Sequence, residues 1–145
     1  MPSILERPIT AIMKTDAPSI KKNEILLNAV RLMEKTGIHF VAVVDDFKTL
    51  IGTLSARDLL KMFQVPSVLS GNIKISEEFF DSGLKRSVED AMTSPAISLA
   101  EDSTIADAVR VFTNNQVNYI PVVNRGDVLI GIVSLVDVFS ISKNR

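Results

Sequence analysis

The sequence predicts an α+β fold built from two tandem β-α-β-β-α units. Three observations carry this expectation. Laid on itself at an offset of 79 residues, the chain matches without a gap between residues 9 and 66. Each copy sets a stripe of apolar residues at helical spacing between short, β-rich apolar runs. The third is size and composition: 145 residues, 46% hydrophobic and 23% charged, make a globular chain that buries roughly 70% of its unfolded surface. One core, or two small halves sharing one, then forms without disulfides or a structural metal.

The repeat is visible in polar as well as apolar positions. The offset brings Met13 onto Met92, Ala29-Val30-Arg31 onto Ala108-Val109-Arg110, and Val43-Val44 onto Val122-Val123. Leu50-Ile51-Gly52 falls on Leu129-Ile130-Gly131, and Ser55 and Asp58 fall on Ser134 and Asp137. A shared hydrophobic rhythm explains the apolar matches alone; the Ser and Asp matches require duplication. The domain boundaries expected are residues 1–66 for the first unit, 67–86 for a connecting segment and 87–145 for the second unit.

Taken in order, the first unit opens with a strand at Ser19-Ile20, then a helix from Glu24 to Thr36 with Ile25, Leu26, Ala29, Val30, Leu32 and Met33 on one face and Asn23 as cap. Two strands follow, Phe40 to Val44 and Leu50 to Ser55, and a closing helix from Ala56 to Phe63. The connecting segment is rich in loop formers, but Ile73, Ile75, Phe79 and Phe80 are too apolar for a free linker. It predicts a short helix near Ser76 to Asp81, lying against the core or covering a groove, or else a simple surface connection. The second unit repeats the plan: a strand at Ile97 to Leu99, a helix from Thr104 to Asn115 capped by Asp102 or Ser103, strands at Tyr119 to Val123 and Val128 to Ser134, and a helix from Leu135 to Ile141. Asn124-Arg125-Gly126-Asp127 marks a tight reversal between those strands.

Composition excludes several functions. Sixteen Lys and Arg against 17 Asp and Glu leave no basic footprint for a phosphate backbone, so nucleic acid is not an expected partner. The chain has no cysteine and a single histidine, His39, which removes thiol catalysis, cysteine metal sites and a ready Ser-His-Asp triad. The apolar runs Phe40 to Val44 and Val128 to Val133 fall far short of the ~20 residues of a membrane span. The opening MPSILERPIT carries an acid and a proline where a secretory signal needs charge and apolar length. A cytoplasmic location is expected.

Duplicated units ending in Gly-hydrophobic-x-hydrophobic-Ser/Thr-x-x-Asp resemble CBS domains, the regulatory repeats named after cystathionine beta-synthase. The motif stands twice, as Gly52-Thr53-Leu54-Ser55-Ala56-Arg57-Asp58 and Gly131-Ile132-Val133-Ser134-Leu135-Val136-Asp137. Tyr119-Ile120-Pro121-Val122-Val123-Asn124 resembles the family's hydrophobic-Pro-Val-Val-Asp strand, and Val88-Glu89-Asp90-Ala91-Met92-Thr93 its opening segment. The resemblance implies two units packed about a pseudo-twofold axis with two equivalent clefts. It also implies an adenosine ligand (AMP, ADP, ATP or S-adenosylmethionine), a homodimer, and signalling to an effector, here a separate protein.

The motif has its own physical logic. A carboxylate at the start of a helix can accept hydrogen bonds from two vicinal ribose hydroxyls, and the Ser three residues earlier can meet sugar or phosphate. In the second unit the expected ligand residues are Thr93, Ala96, Ile97, Tyr119, Ile120, Pro121, Val133, Ser134 and Asp137. In the first they are Lys14, Pro18, Phe40, Ala42, Leu54, Ser55, Arg57 and Asp58. The structural role of the same pattern is a capping box, in which Ser and Asp satisfy the helix terminus. The two roles are compatible, since a cap can exchange a bond for a ligand.

Departures from the family pattern favour the second cleft. Neither Asn114 to Asn118 nor Lys35 to His39 supplies the basic residue that many nucleotide-binding relatives carry before the Pro-Val-Val strand, which leaves Arg57 and Lys14 as phosphate partners. Pro18 stands where the second copy has Ile97 and brings no N–H. His39 is expected as a surface or cleft-rim side chain, and the acidic pairs Asp45-Asp46 and Glu77-Glu78 are expected to be solvated. No glycine-rich phosphate loop occurs. The reading is a non-catalytic regulatory module that needs no cofactor. The competing readings are a dimerising scaffold with vestigial clefts, and a hydrolase for which no nucleophile is found.

Overall fold

The structure, a computed structural model, describes residues 3–63, 70–71 and 76–141. Six strands form two three-stranded sheets, ordered β1-β2-β3 and β4-β5-β6: β1 (Ser19–Lys21), β2 (Phe40–Val44), β3 (Leu50–Ser55), β4 (Leu99–Ala100), β5 (Tyr119–Val123) and β6 (Leu129–Ser134). β1 runs parallel to β2 with Ser19 opposite Ala42, and β4 runs parallel to β5 with Leu99 opposite Val122. Parallel neighbours need a long crossover, which α1 (Leu26–Thr36) and α4 (Ile105–Asn114) provide. β5 and β6 are antiparallel, from Tyr119 opposite Ser134 to Val122 opposite Gly131, with a register shift before Val123. The central strands β2 and β5 are buried almost throughout, hence their unbroken apolar sequence. Pro121 fits in β5 because the β4 ladder begins only at Val122.

Strand bounds follow the sequence expectation closely except at β4, which is Leu99–Ala100 and not Ile97 to Leu99; the closing helices start where expected, at Ala56 and Leu135, but α1 and α4 do not. Asn23 does not cap α1: the N-cap is Ile25, without a side-chain bond, and Leu26 N donates instead to Arg86 O at 2.8 Å. α4 is capped by Thr104, in a capping box with Asp107, and not by Asp102 or Ser103. Ile105 N donates to Arg7 O at 2.9 Å, the same bond one repeat on. α1 ends at Gly37, whose φ of 72° lets its N–H reach Met33 O at 2.9 Å. The closing element Ala56–Phe63 is a 3-10 helix, whereas its counterpart α5 (Leu135–Ser140) is α-helical. The connecting segment holds α2 (Glu77–Leu84), longer than expected, capped by Ser76 and anchored by Leu84, with Phe80 48% exposed. Ile73 and Ile75 lie outside the described residues. A single turn, α3 (Val88–Ala91), follows.

The compact units are not the sequence copies. One comprises Pro18–Asp46 and Ile51–Ala96; the other comprises Met1–Ala17, Phe47–Leu50 and Ile97–Arg145. They are called here the first and second unit, after Asp58 and Asp137. Each copy's leading segment therefore packs in the unit of the other copy. Val88 and Ala91, fully buried, complete the core of Ile20, Leu26, Ala29, Met33, Val41, Val43 and Leu54. Ile9, fully buried, joins Leu99, Ile105, Ala108, Ile120, Val122, Val133 and Val138. At ~25 cal/mol per Å² of apolar surface, burial of Val88 or Ile9 contributes roughly 1.5–3 kcal/mol.

The motif glycines make this packing possible. Lys14 forms a two-bond rung with Ile132, N to O at 2.9 Å and O to N at 2.8 Å, and Thr93 forms the equivalent rung with Thr53 at 2.8 and 3.0 Å. Beside these rungs, a Cβ on Gly131 would lie 2.9 Å from Lys14 O and 2.7 Å from Met13 Sδ. A Cβ on Gly52 would meet Thr93 O at 3.0 Å and Met92 Sδ at 2.9 Å. In the second unit the turn at Lys48 (φ 63°) pairs with the reversal at Asp127 (φ 61°), through Leu50 N to Asp127 O at 2.9 Å and Leu129 N to Lys48 O at 3.0 Å.

Candidate functional site

Each unit carries one capped carboxylate, 16% exposed. In the first, Asp58 Oδ2 accepts from Ser55 N at 2.8 Å while Ser55 Oγ accepts from Asp58 N at 3.2 Å. In the second, Asp137 Oδ2 accepts from Ser134 N at 2.9 Å and Ser134 Oγ from Asp137 N at 3.0 Å. The capping box is thus present in both copies, and it leaves the Oδ1 atom of each carboxylate turned to other partners.

The Oδ1 atoms differ. Asp58 Oδ1 accepts from the Thr93 hydroxyl at 3.3 Å and lies 3.1 Å from Lys61 Nζ. Lys61 also donates to Ala91 O at 3.1 Å and to Thr93 Oγ1 at 3.3 Å, so this carboxylate closes a small internal network. Asp137 Oδ1 has, among the described residues, only Lys14 Nζ, 3.8 Å away on a side chain 63% exposed. It is the more available acceptor of the two.

The structure regroups the predicted residues. Thr93 was expected beside Asp137 and stands instead on Asp58; Lys14 was expected beside Asp58 and stands on Asp137. The cause is the exchange of leading segments, which Ile9 and Val88 enforce by burial. Around Asp58 the first unit also holds Leu54, Phe40 and Ala42, all buried, and Pro18, whose carbonyl accepts from Ala42 N at 2.9 Å. Ala96, half-buried, belongs to the same unit; Arg57 is exposed and makes no ion pair among the described residues. The second unit holds Val133, Ile120 and Pro121, all buried, with Tyr119 and Ile97 half-buried. His39 is exposed, and its carbonyl accepts from Ala56 N at 3.1 Å. Asp46 pairs with Lys21 at 2.6 Å, a hydrogen bond that holds the Lys21 ammonium above its ordinary range. No cluster of metal-ligating side chains occurs among the described residues, and no helix there is long and apolar enough to cross a membrane.

Two residues escaped the sequence reading. Lys61 was signalled by its i,i+3 spacing from Asp58 on a helix. Arg7 gave no local signal; it lines a cavity of about 310 Å³ together with Ala11, Ile12, Asp137, Ser140 and Ile141.

Comparison with known proteins agrees with this architecture. An uncharacterized protein of Methanocaldococcus jannaschii, MJ1426, is 30% identical over 146 residues, covering 87% of this chain and 85% of its own. CBSX2 in complex with AMP superposes with a TM-score of 0.76 at 21% identity, over 95% of this chain and 97% of that one; CBSX2 is a CBS-pair protein from Arabidopsis thaliana. The cytosolic domain of the Mg2+ channel MgtE in complex with ATP gives a TM-score of 0.72 at 18% identity, over 94% of this chain and 49% of that one. The CBS domain profile matches twice, at residues 9–64 and 88–144, in the register of the internal repeat, and the chain belongs to the CBS domain family.

Proposed function

We propose that the chain is a non-catalytic regulatory module that binds an adenosine nucleotide beside Asp137 and Ser134 and signals to an effector. AMP, ADP and ATP are the ligands proposed, with S-adenosylmethionine as the other adenosine compound of the class. The observation that carries the reading is Asp137 Oδ1, a carboxylate oxygen of a residue that lines the cavity, left by the capping box with, among the described residues, one exposed cation at 3.8 Å. Two vicinal ribose hydroxyls supply the donors it lacks, in charge-assisted bonds. The AMP and ATP complexes of CBSX2 and MgtE support the ligand class through a shared fold. Signalling would be linkage: a ligand that prefers one conformation shifts its population, and a partner sensing that conformation feels the same coupling free energy.

Calorimetric titration with AMP, ATP and S-adenosylmethionine tests this. Asp137→Asn, which keeps an acceptor for the Ser134 N–H, should weaken binding at least tenfold, the loss expected for a charged hydrogen bond of about 1.5–3 kcal/mol. Asp58→Asn should cost less, because Asp58 already has Thr93 and Lys61. Absence of heat at millimolar ligand with the fold intact would refute the reading. It would favour a dimerising scaffold, to which the internal closure of Asp58 and the exposure of Val136 (70%) and Phe139 (69%) on α5 point. A homodimer through that helix is proposed with either function, and Val136→Glu should dissociate it in light scattering.

A further inference from the structure

The closing element of the first unit, Ala56–Phe63, is a 3-10 helix, while its counterpart α5 is α-helical. Side chains three apart eclipse in a 3-10 helix, so Lys61 stands over Asp58, its Nζ 3.1 Å from Asp58 Oδ1. An ammonium has three donors, and Lys61 has three partners: that carboxylate, Ala91 O at 3.1 Å and Thr93 Oγ1 at 3.3 Å. The Thr93 hydroxyl in turn donates to Asp58 Oδ1 at 3.3 Å, which closes a ring of ammonium, hydroxyl and carboxylate.

Two donors therefore already sit on Asp58 Oδ1, as many as a pair of vicinal ribose hydroxyls would bring. A diol would have to displace both, and the ammonium would lose a charge-assisted bond within a closed network whose members strengthen one another. Exposed ion pairs are weak, but this carboxylate is only 16% exposed and the lysine is anchored at two further points. The second copy has no lysine at this register. Lys61 corresponds to Ser140 at the offset of 79, and the Ser140 hydroxyl donates to Val136 O at 2.9 Å.

We infer that Lys61 is a built-in latch on the first unit, a specificity-determining residue that occupies the donor positions of Asp58 and withholds this carboxylate from a nucleotide. It ties the closing helix to Ala91 and Thr93 without any ligand. The inference rests on the proposed function for the class of ligand withheld; the latch itself rests on the bonds of Lys61. Lys61→Ser, which writes the residue of the second copy into the first, should convert a closed carboxylate into a receiving one.

The test is calorimetric titration of the full chain with AMP, counting the equivalents bound by the native sequence, Lys61→Ser, Lys61→Arg and Lys61→Ser/Asp58→Asn. The Lys61 side chain is 41% exposed, so the core is spared; thermal midpoints verify folding, and Lys61→Met, which keeps the stem and removes the charge, stands in should Lys61→Ser not fold. The native chain is expected to bind one AMP and Lys61→Ser two, a gain of about tenfold or more in affinity at an acceptor freed of its charged donor. Lys61→Arg, which keeps a cation over Asp58, and the double variant should each return to one. A lysine with a purely structural role would lower the midpoint without adding an equivalent. One AMP on both the native chain and Lys61→Ser, two on the native chain, or a second equivalent that Lys61→Arg admits or that survives Asp58→Asn overturns the latch and leaves the nucleotide reading intact. No AMP on the native chain with one on Lys61→Ser upholds the latch and overturns the assignment of the ligand to Asp137. Silence from both chains overturns both.

Discussion

Substituting Gly131 by alanine probes the packing on which the site depends. The added Cβ would lie 2.7 Å from Met13 Sδ and 2.9 Å from Lys14 O. The sulfur ends a flexible side chain and can move. The carbonyl cannot, because it is held by Ile132 N at 2.8 Å in a rung whose other bond, from Lys14 N, is 2.9 Å. Relief requires the leading segment to shift by several tenths of an ångström and stretch both bonds. Overpacking costs about 1–3 kcal/mol and a weakened backbone bond up to about 1 kcal/mol, so roughly 2 kcal/mol is expected in all. For a domain of this size that lowers the melting midpoint by roughly 6–8 °C. Differential scanning calorimetry reads the loss, with Gly126→Ala as control, since a Cβ there meets nothing closer than Asn124 Oδ1 at 3.5 Å. Hydrogen exchange at the Lys14 amide should accelerate in the same variant. Native stability in Gly131→Ala would refute the account of why the motif begins with glycine.

Four further outcomes follow from other parts of the molecule. Ile9→Ala should cost roughly 2–5 kcal/mol in denaturant unfolding, as truncation of a fully buried core residue does, whereas Leu5→Ala, at a side chain 48% exposed, should cost under about 0.5 kcal/mol. Thr104→Ala removes half of the α4 capping box and should destabilise by about 1 kcal/mol. The Asp107 carboxyl is held below its ordinary value of 3.8, first by the Thr104 backbone N–H and further by Arg110. A depressed folded pKa contributes stability that is present above 3.8 and lost as pH falls through the folded value, so Asp107→Asn should flatten that part of the acid-unfolding profile. Lys21 works in the opposite sense: its pKa is raised above 10.5 by Asp46, so its contribution is present below that value and fades as alkaline pH rises through the folded one. Asp46→Asn should remove that alkaline dependence.

Much of the fold was legible because the strongest signals are local. The repeat offset survives in the hydrogen bonds themselves: Ile9 N to Ser103 O and Val88 N to Glu24 O are both 2.8 Å and stand one repeat apart. β2 and β3 were bounded correctly since their apolar runs end at turn residues. Partner choice was not legible. Ile9 and Val88 are equivalent anchors, and nothing in their neighbourhood says which copy each segment packs against, so Thr93 and Lys14 were assigned to each other's carboxylates. The start of α1 failed for a related reason: the N–H of Leu26 is satisfied by Arg86 O, a carbonyl distant in sequence, so no local cap was needed at Asn23. Arg7 escaped because its place beside Asp137 in the cavity wall is set by the exchanged leading segment, which no local pattern announces.

The most direct test of the central claim is a crystal structure of the chain grown with ATP. The ribose hydroxyls are expected on the Asp137 carboxylate, at the Oδ1 atom now facing Lys14. Nucleotide density seated away from Asp137, or on Asp58 alone, would contradict it.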